Sequence, residues 1–248
     1  MRLPPFRALN RCCRSSHLEV TRMETHDCPV MAGLPDRDRH RLLDRGVPRS
    51  IEQGDTLHFS GERSERVHLV TSGILKLVAR DGGGNETILG LAAPGDVVRE
   101  LGEIDGMHQP LDIIAATKCE VVGLNAHNFL EAVVASPAAA RCLLEQQAAR
   151  LRWVYGTALE RSSGEVPARL AGRLLDLADM IGSIENGAVS VDMPLRQADL
   201  GRLAGVCRES TCKTLRRFKA QGIVDYRGRR LRILRPDVLE RIRCAGRV

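Results

Sequence analysis

The chain has 248 residues, 43% of them apolar, 27% charged and only 3% aromatic, with a formal net charge of +6. That length holds one large domain or two ordinary ones with a real core. No apolar run approaches the ~18 residues that a membrane-spanning helix needs, so helical membrane spans are excluded. Arg2, Arg7, Arg11, Arg14 and Arg22 open the chain, but no unbroken apolar stretch follows them, so they are not read as a secretory signal. The expected compartment is the cytoplasm. There, eight irregularly spaced cysteines read as thiols or ligands, not as a disulfide framework.

In chain order, residues 1–33 lack periodicity and read as a loose N-terminal extension, with Met23 an alternative start. A short polar helix is expected from Asp36 to Leu43. Between about Val47 and Gly123 the texture is β-rich: Val67–Thr71, Ile74–Val78, Thr87–Leu91 and Glu120–Leu124 are punctuated by turns at Gly54, Gly61, Gly73, Asp81–Gly84 and Pro94–Asp96. Many short strands at such spacing predict a sandwich or barrel-like roll. After Asn125 the period becomes helical. Pro137 suits a first turn, and an unbroken pattern runs from Ala138 to about Arg161. Leu144, Gln147/Ala148, Leu151, Val154/Tyr155 and Ala158 recur every three or four residues. So long an apolar stripe exceeds what one domain edge needs, which points to a dimer seam through Leu144, Leu151, Val154, Tyr155 and Ala158. Packing against the chain's own roll is the competing reading. Ser162–Glu165 reads as a hinge, Val166–Ile181 as a further helix, and Gly182–Met193 as a loop or short strand pair.

Charge is concentrated at the C-terminus. Residues 189–248 carry 15 Lys and Arg against 6 acids, while the rest of the chain is mildly acidic. Such a balance suits a phosphate-backbone binder joined to another domain. Within it, a helix over Leu195–Leu203, a tight turn at Ala204-Gly205-Val206 and a second helix from Cys207 to about Ala220 form a helix-turn-helix pattern. The N-terminal side chains of such a second helix reach base edges in the major groove. Two strands around Gly228 then form a basic wing carrying Arg229 and Arg230.

These motifs resemble the CRP/FNR family of bacterial transcription factors over roughly Pro35 to Leu239. The resemblance rests on Gly54-Asp-x-Leu57 with Gly61-Glu62, Val70-x-Ser-Gly-x-Leu-Lys76, Pro94-Gly-Asp96 with Glu100-Leu101, and Arg196-Gln-x-Asp-Leu-Gly followed by Gly205-Val-Cys-Arg-Glu-Ser210. It implies an α+β fold: a jelly-roll-like β-roll of cyclic-nucleotide-binding type over 34–136, a dimerisation helix over 137–162, and a winged helix-turn-helix over 163–248. It also implies base reading by Arg208, Glu209 and Lys213. Arginine suits guanine and glutamate accepts from cytosine, whereas lysine at 213 lacks the bidentate fork of the family's arginine. Arg196, Gln197, Ser210, Arg217, Arg229 and Arg230 complete the expected DNA-contacting set. The implied partners are palindromic double-stranded DNA, a second copy of the chain and RNA polymerase.

Relatives that bind cyclic AMP carry Gly-Glu-Leu, an Arg-Ser or Arg-Thr pair and Thr-Ser on the long helix. Here Arg99 replaces the glycine, Gln109-Pro110 stands for the phosphate-binding pair, and Val154-Tyr155 stands for Thr-Ser. A cyclic phosphate without its arginine loses a charge-assisted bidentate contact. The roll is therefore expected to be degenerate for cyclic AMP, with Arg99, Glu100, Gln109 and Tyr155 as the effector-pocket candidates. The iron–sulfur relatives resemble the chain in carrying N-terminal cysteines, and Cys12, Cys13, Cys28 and Cys119 fall in comparable regions at different spacing. No cofactor is expected. The histidines show no i, i+4 pairing, so no metal site is expected, and no catalytic motif occurs, so neither are catalytic residues or enzymatic activity. Cys207, at the start of the second helix, is a redox candidate because helix-terminal N–H groups favour a thiolate. The alternatives are a cysteine-based redox or oxygen sensor and a cyclic-nucleotide-binding module without DNA function.

Overall fold

The computed structural model describes residues 24–25, 28–63, 65–185, 188–192, 195–227 and 230–245. The elements of the first part are α1 (Pro29–Ala32), α2 (Asp36–Asp44), β1 (Val47–Ile51), β2 (Thr56–His58), β3 (Arg66–Ser72), β4 (Leu75–Arg80), β5 (Glu86–Ala92), β6 (Val97–Val98), α3 (Leu101–Asp105), β7 (Asp112–Ala115), β8 (Cys119–Asn125) and α4 (Ala126–Ala135). Then come α5 (Pro137–Ser163), α6 (Val166–Ile181), β9 (Ser183–Glu185), β10 (Ala188–Asp192), α7 (Gln197–Ala204), α8 (Arg208–Ala220), β11 (Val224–Arg227), β12 (Arg230–Ile233) and α9 (Pro236–Ala245). Two compact units divide within α5, between Leu151 and Arg152. Among the described residues no helix is long and apolar enough to cross a membrane.

The first unit is a roll of two four-stranded antiparallel sheets, ordered β1-β8-β3-β6 and β2-β7-β4-β5. Side chains alternate across β3. Val70 joins Leu75, Leu77, Val98, Ile113 and Val121 between the sheets, while Val67 and Leu69 face a second core built with Phe129, Val133 and Leu143 of α4 and α5. The strand is buried on both faces from Val67 to Thr71, with His68 and Thr71 among its buried residues. Gly73 makes the β3–β4 turn at φ 80°, and a Cβ there would lie 2.3 Å from the Lys118 carbonyl oxygen, so only glycine fits.

One expectation changes here. The N-terminal extension drawn through residue 33 gives way by Cys28, because Cys28, Val30 and Met31 are buried in the core shared with α4 and α5. The Cys28 thiol donates to the Gly95 carbonyl at 3.0 Å, and Ser136 Oγ donates to the Gly33 carbonyl at 2.7 Å. A four-residue helix is too short to show a period, so its burial has no local signature. Cys12, Cys13 and Met23 lie outside the described residues.

In the second unit, β9 and β10 realise the strand pair expected after Gly182, and the wing strands β11 and β12 join them in one sheet ordered β11-β12-β10-β9. α8 buries Thr211, Thr214, Leu215 and Phe218, an i, i+3, i+4, i+7 face, and turns its basic residues outward.

Candidate nucleic-acid interface

The helix-turn-helix is held together by close backbone packing. Gly205 ends α7 in the left-handed conformation at φ 63°, and the Val206 N–H bonds back to the Gly201 carbonyl at 2.8 Å. A Cβ on Gly201 would sit 2.7 Å from the Val206 carbonyl oxygen and 2.8 Å from Thr211 Oγ1, so a bare backbone lets α7 and α8 approach. At the N-terminus of α7, Asp199 accepts from the Arg196 N–H at 3.2 Å. At its C-terminus, Arg161 Nη2 donates to the Arg202 carbonyl (3.3 Å) and Arg169 Nη1 to the Gly205 carbonyl (3.1 Å), placing cations where the helix dipole is negative.

On α8, Arg208, Glu209, Lys213 and Arg217 are exposed and make no side-chain hydrogen bond or ion pair among the described residues. Arg216, not singled out from the sequence, is exposed seven residues after Glu209 and so shares its face; that spacing was the available signal. Three other expected contacts are engaged within the domain. Ser210 Oγ accepts from the Cys207 thiol at 3.3 Å, Gln197 Oε1 accepts from the Cys212 thiol at 3.1 Å, and Arg230 Nε donates to Ser190 Oγ at 3.1 Å. Arg229 lies outside the described residues. Cys207 caps α8 by position without a side-chain capping bond, is exposed, and has its thiol pKa lowered, first by the Ser210 hydroxyl and then by the Ser210 and Glu209 N–H groups.

Within the roll, Arg99 is the one non-glycine residue at positive φ (71°) among those described. Its guanidinium is buried, with Nη1 donating to the Arg66 carbonyl at 2.8 Å and Nε unpartnered. Glu100 is also buried. Its Oε1 accepts from Gln147 Nε2 (2.6 Å) and Arg150 Nη1 (2.5 Å), partners that sequence reasoning missed. Other buried polar atoms of the roll also lack a partner: His58 Nε2, His68 Nδ1, Glu100 Oε2 and Gln109 Oε1. Burial, then the charges of Arg49 and Arg99, push the His68 pKa down to about 4. Tyr155 falls in the other unit and is 59% exposed.

The cysteines of the first unit are dispersed. Cys28 sits in the helix-side core and burial raises its thiol pKa to about 12; Cys119 sits between the sheets and donates to the Ile74 carbonyl at 3.2 Å. Among the described residues no three His, Cys, Asp or Glu side chains gather as a metal-binding group.

On α5, Leu144 (68% exposed), Leu151 (49%), Tyr155 and Leu159 (66%) are large apolar side chains left on the surface. Their 7-4-4 spacing is one helical stripe. Val154 is half-buried and Ala158 exposed, whereas Ala139 and Leu143 are the residues of α5 buried in the roll's own core.

A β-roll joined through one long helix to a basic winged helix-turn-helix defines a DNA-binding transcription regulator. A cyclic nucleotide-binding domain model matches residues 48–136, and a Crp-like helix-turn-helix domain model matches residues 168–242. The chain is 28% identical over 194 residues to a CRP-like cAMP-activated global transcriptional regulator of Mycobacterium tuberculosis, covering 78% of this chain and 87% of the relative. It is 26% identical over 193 residues to the cAMP-activated global transcriptional regulator Vfr of Pseudomonas aeruginosa, covering 76% and 90%. In fold it resembles FixK2 from Bradyrhizobium japonicum, with a TM-score of 0.70, 21% identity, and 79% and 96% of the two chains covered. The global regulator CLP of Xanthomonas campestris gives a TM-score of 0.67 at 21% identity over 80% and 99%. The chain belongs to the CRP/FNR family of transcription regulators.

Proposed function

We propose that the protein is a cytoplasmic, homodimeric regulator that reads a palindromic DNA site and acts on transcription through RNA polymerase, without catalytic activity of its own. The observation that carries this is the outward face of α8, where Arg208, Glu209, Lys213 and Arg217 project with no partner among the described residues. Base reading falls to Arg208, Glu209 and Lys213, with Arg196, Arg216 and Arg217 beside them and Arg229 and Arg230 on the wing meeting phosphates. The exposed stripe of α5 supports the dimer, since a second copy would remove Leu144, Leu151, Tyr155 and Leu159 from water.

The cAMP activation named for the similar regulators does not carry over in this reading. Gln109-Pro110 supplies no cation for a cyclic phosphate, and Arg99 occupies the position of a small residue. Arg99, Glu100 and Gln109, with their unpartnered atoms, are the groups an effector would meet, and that effector is not cyclic AMP. A second mode of control, through thiol oxidation, rests on the exposed Cys207 with its lowered pKa.

The test is selection from random-sequence duplex DNA with the full-length protein, followed by binding of the enriched sequence over a range of salt. An enriched inverted repeat whose affinity falls steeply with salt is expected, because phosphate contacts release counterions. Enrichment of no sequence, or of a non-repeated one, would reject the reading.

A further inference from the structure

A second polar cluster lies between the end of α5 and the DNA-reading part of the same unit. Arg173 on α6 is almost fully buried, as are Glu160 on α5 and Asp176 on α6. Arg173 Nη2 lies 2.7 Å from Glu160 Oε2, and its Nη1 lies 2.8 Å from Thr157 Oγ1 and 3.1 Å from Asp176 Oδ2. Its guanidinium carbon stands 4.8 Å from the centre of the Trp153 ring. Arg243 on α9 closes the cluster, at 3.6 Å from both Glu160 Oε1 and Asp176 Oδ1. Two cations and two anions thus cancel in a buried space fed by three helices. Gly172 lies against the cluster, where a Cβ would stand 3.2 Å from Glu160 Oε1, tighter than an ordinary contact.

Buried ion networks contribute little net stability compared with apolar packing of the same volume. What they supply is direction. An apolar helix contact tolerates sliding, whereas a guanidinium fork engaged on a carboxylate, a hydroxyl and an aromatic face has one arrangement. The same turns of α5 and α6 also grip the helix-turn-helix, since Arg161 and Arg169 cap the end of α7. The Arg161 side chain passes so close that a Cβ on Gly205 would be 2.6 Å from its Nε. From there the tight Gly201–Val206–Thr211 packing reaches α8. An unbroken series of directional contacts therefore runs from the last turns of α5 to the recognition helix.

We infer that Glu160, Arg173, Asp176 and Arg243 are positioning residues that fix how α8 is presented relative to the end of α5, and thereby set the half-site spacing that the dimer accepts. This rests on the reading above that the protein binds an inverted repeat as a dimer. Two recognition helices on a two-fold axis impose a spacing only if each is rigid with respect to the dimerising element.

The experiment measures binding of the full-length protein to its selected operator and to versions whose half-sites are one base pair closer or further apart. Wild type should prefer one spacing by about tenfold or more. A Glu160→Leu/Arg173→Met double variant replaces the ion pair with apolar packing and leaves α8 untouched. It should reduce that preference to about threefold or less while keeping base preference within each half-site. Retention of the full spacing preference in the folded double variant would overturn the inference. If the double variant does not fold, Arg243→Met, which leaves the Arg173–Glu160 pair in place, carries the test, with an intermediate preference expected and an unchanged one counting against the inference. A wild-type chain that is monomeric, or indifferent to spacing, would instead overturn the dimeric reading on which the inference stands.

Discussion

Arg150 on α5 reaches Glu100, 50 residues earlier in the chain, placing Nη1 at 2.5 Å from Oε1 while its Nη2 donates to the Val97 carbonyl at 2.7 Å. The long helix is thereby fastened to the strand that precedes the candidate effector residues. Gln146 doubles the attachment by pairing with both the N–H and the carbonyl of Val97 at 2.9 Å. Replacing Arg150 with Met removes the cation and leaves a buried carboxylate held by Gln147 alone. Because Arg150 is partly solvent-exposed, the expected loss is about 2 kcal/mol, below the usual cost of breaking a fully buried pair. Urea unfolding of wild type and variant measures it, and a loss under about 0.5 kcal/mol would show the pair to be dispensable.

Cyclic AMP should neither bind at low-micromolar concentration nor alter DNA affinity, since Gln109 and Pro110 offer no cation to its phosphate. Calorimetry on the full-length protein checks this directly. A low-micromolar dissociation constant would mean that Arg99 or Arg150 supplies the missing charge from a new direction.

Leu151→Glu should give monomers and abolish operator binding, because the stripe containing Leu151 would then carry a charge into a buried seam. Sedimentation velocity distinguishes the outcomes. A variant that remains dimeric at micromolar concentration would move the seam away from α5.

The folded pKa of His68, pushed down to about 4, lies below the ordinary value of 6.5, so the imidazole is neutral in the folded roll. Above pH 6.5 the folded and unfolded chains hold the same number of protons on this residue. As pH falls from 6.5 towards 4 the unfolded chain binds a proton that the folded chain does not, and stability drains away across that window. The total is on the order of 3 kcal/mol. His58, lowered first by its own burial and then by Arg99, acts with the same sign. Comparing denaturation midpoints at neutral and mildly acidic pH for wild type and His68→Phe isolates the effect, since carboxylates titrate in both. An identical acid loss in the two proteins would show that His68 does not titrate as described.

Much of this architecture is legible locally. α8 announces itself through Thr211, Leu215 and Phe218 on one face and through Gly205 at the preceding turn, and β3 through the clustered strand formers Val67, Leu69, Val70 and Thr71. Cys28 to Met31 was not legible, because four residues have no period and their burial depends on the Gly95 carbonyl far along the chain. The same applies to Glu100 with Arg150 and to Glu160 with Arg173. Each is an ordinary charged residue in sequence, and only tertiary packing pairs it, across 50 residues for Glu100 with Arg150 and across the α5–α6 connection for Glu160 with Arg173. The candidate DNA contacts lie on one helix and could be read from its spacing, whereas the groups that orient that helix come from three others.

Cys207 supports the last prediction. Its thiol stands exposed at the N-terminus of α8, held 3.3 Å from Ser210 Oγ, and both that hydroxyl and the adjacent N–H groups lower its pKa. A larger thiolate fraction makes attack on peroxide faster: the sulfur takes one oxygen, the O–O bond breaks, and hydroxide leaves. The resulting sulfenic acid adds bulk beside Arg208, where a DNA phosphate would approach. Cys212, engaged with Gln197 Oε1 at 3.1 Å, lies about 140° further round the helix and is not expected to resolve it as a disulfide. Peroxide should therefore lower operator affinity, and a thiol reductant should restore it. Cys207→Ser should bind DNA normally and ignore peroxide, while Ser210→Ala should slow the oxidation by withdrawing the hydroxyl that favours the thiolate. Binding assays before and after peroxide, with mass spectrometry locating the added oxygen, decide the matter. Equal peroxide sensitivity in wild type and Cys207→Ser would assign the response elsewhere.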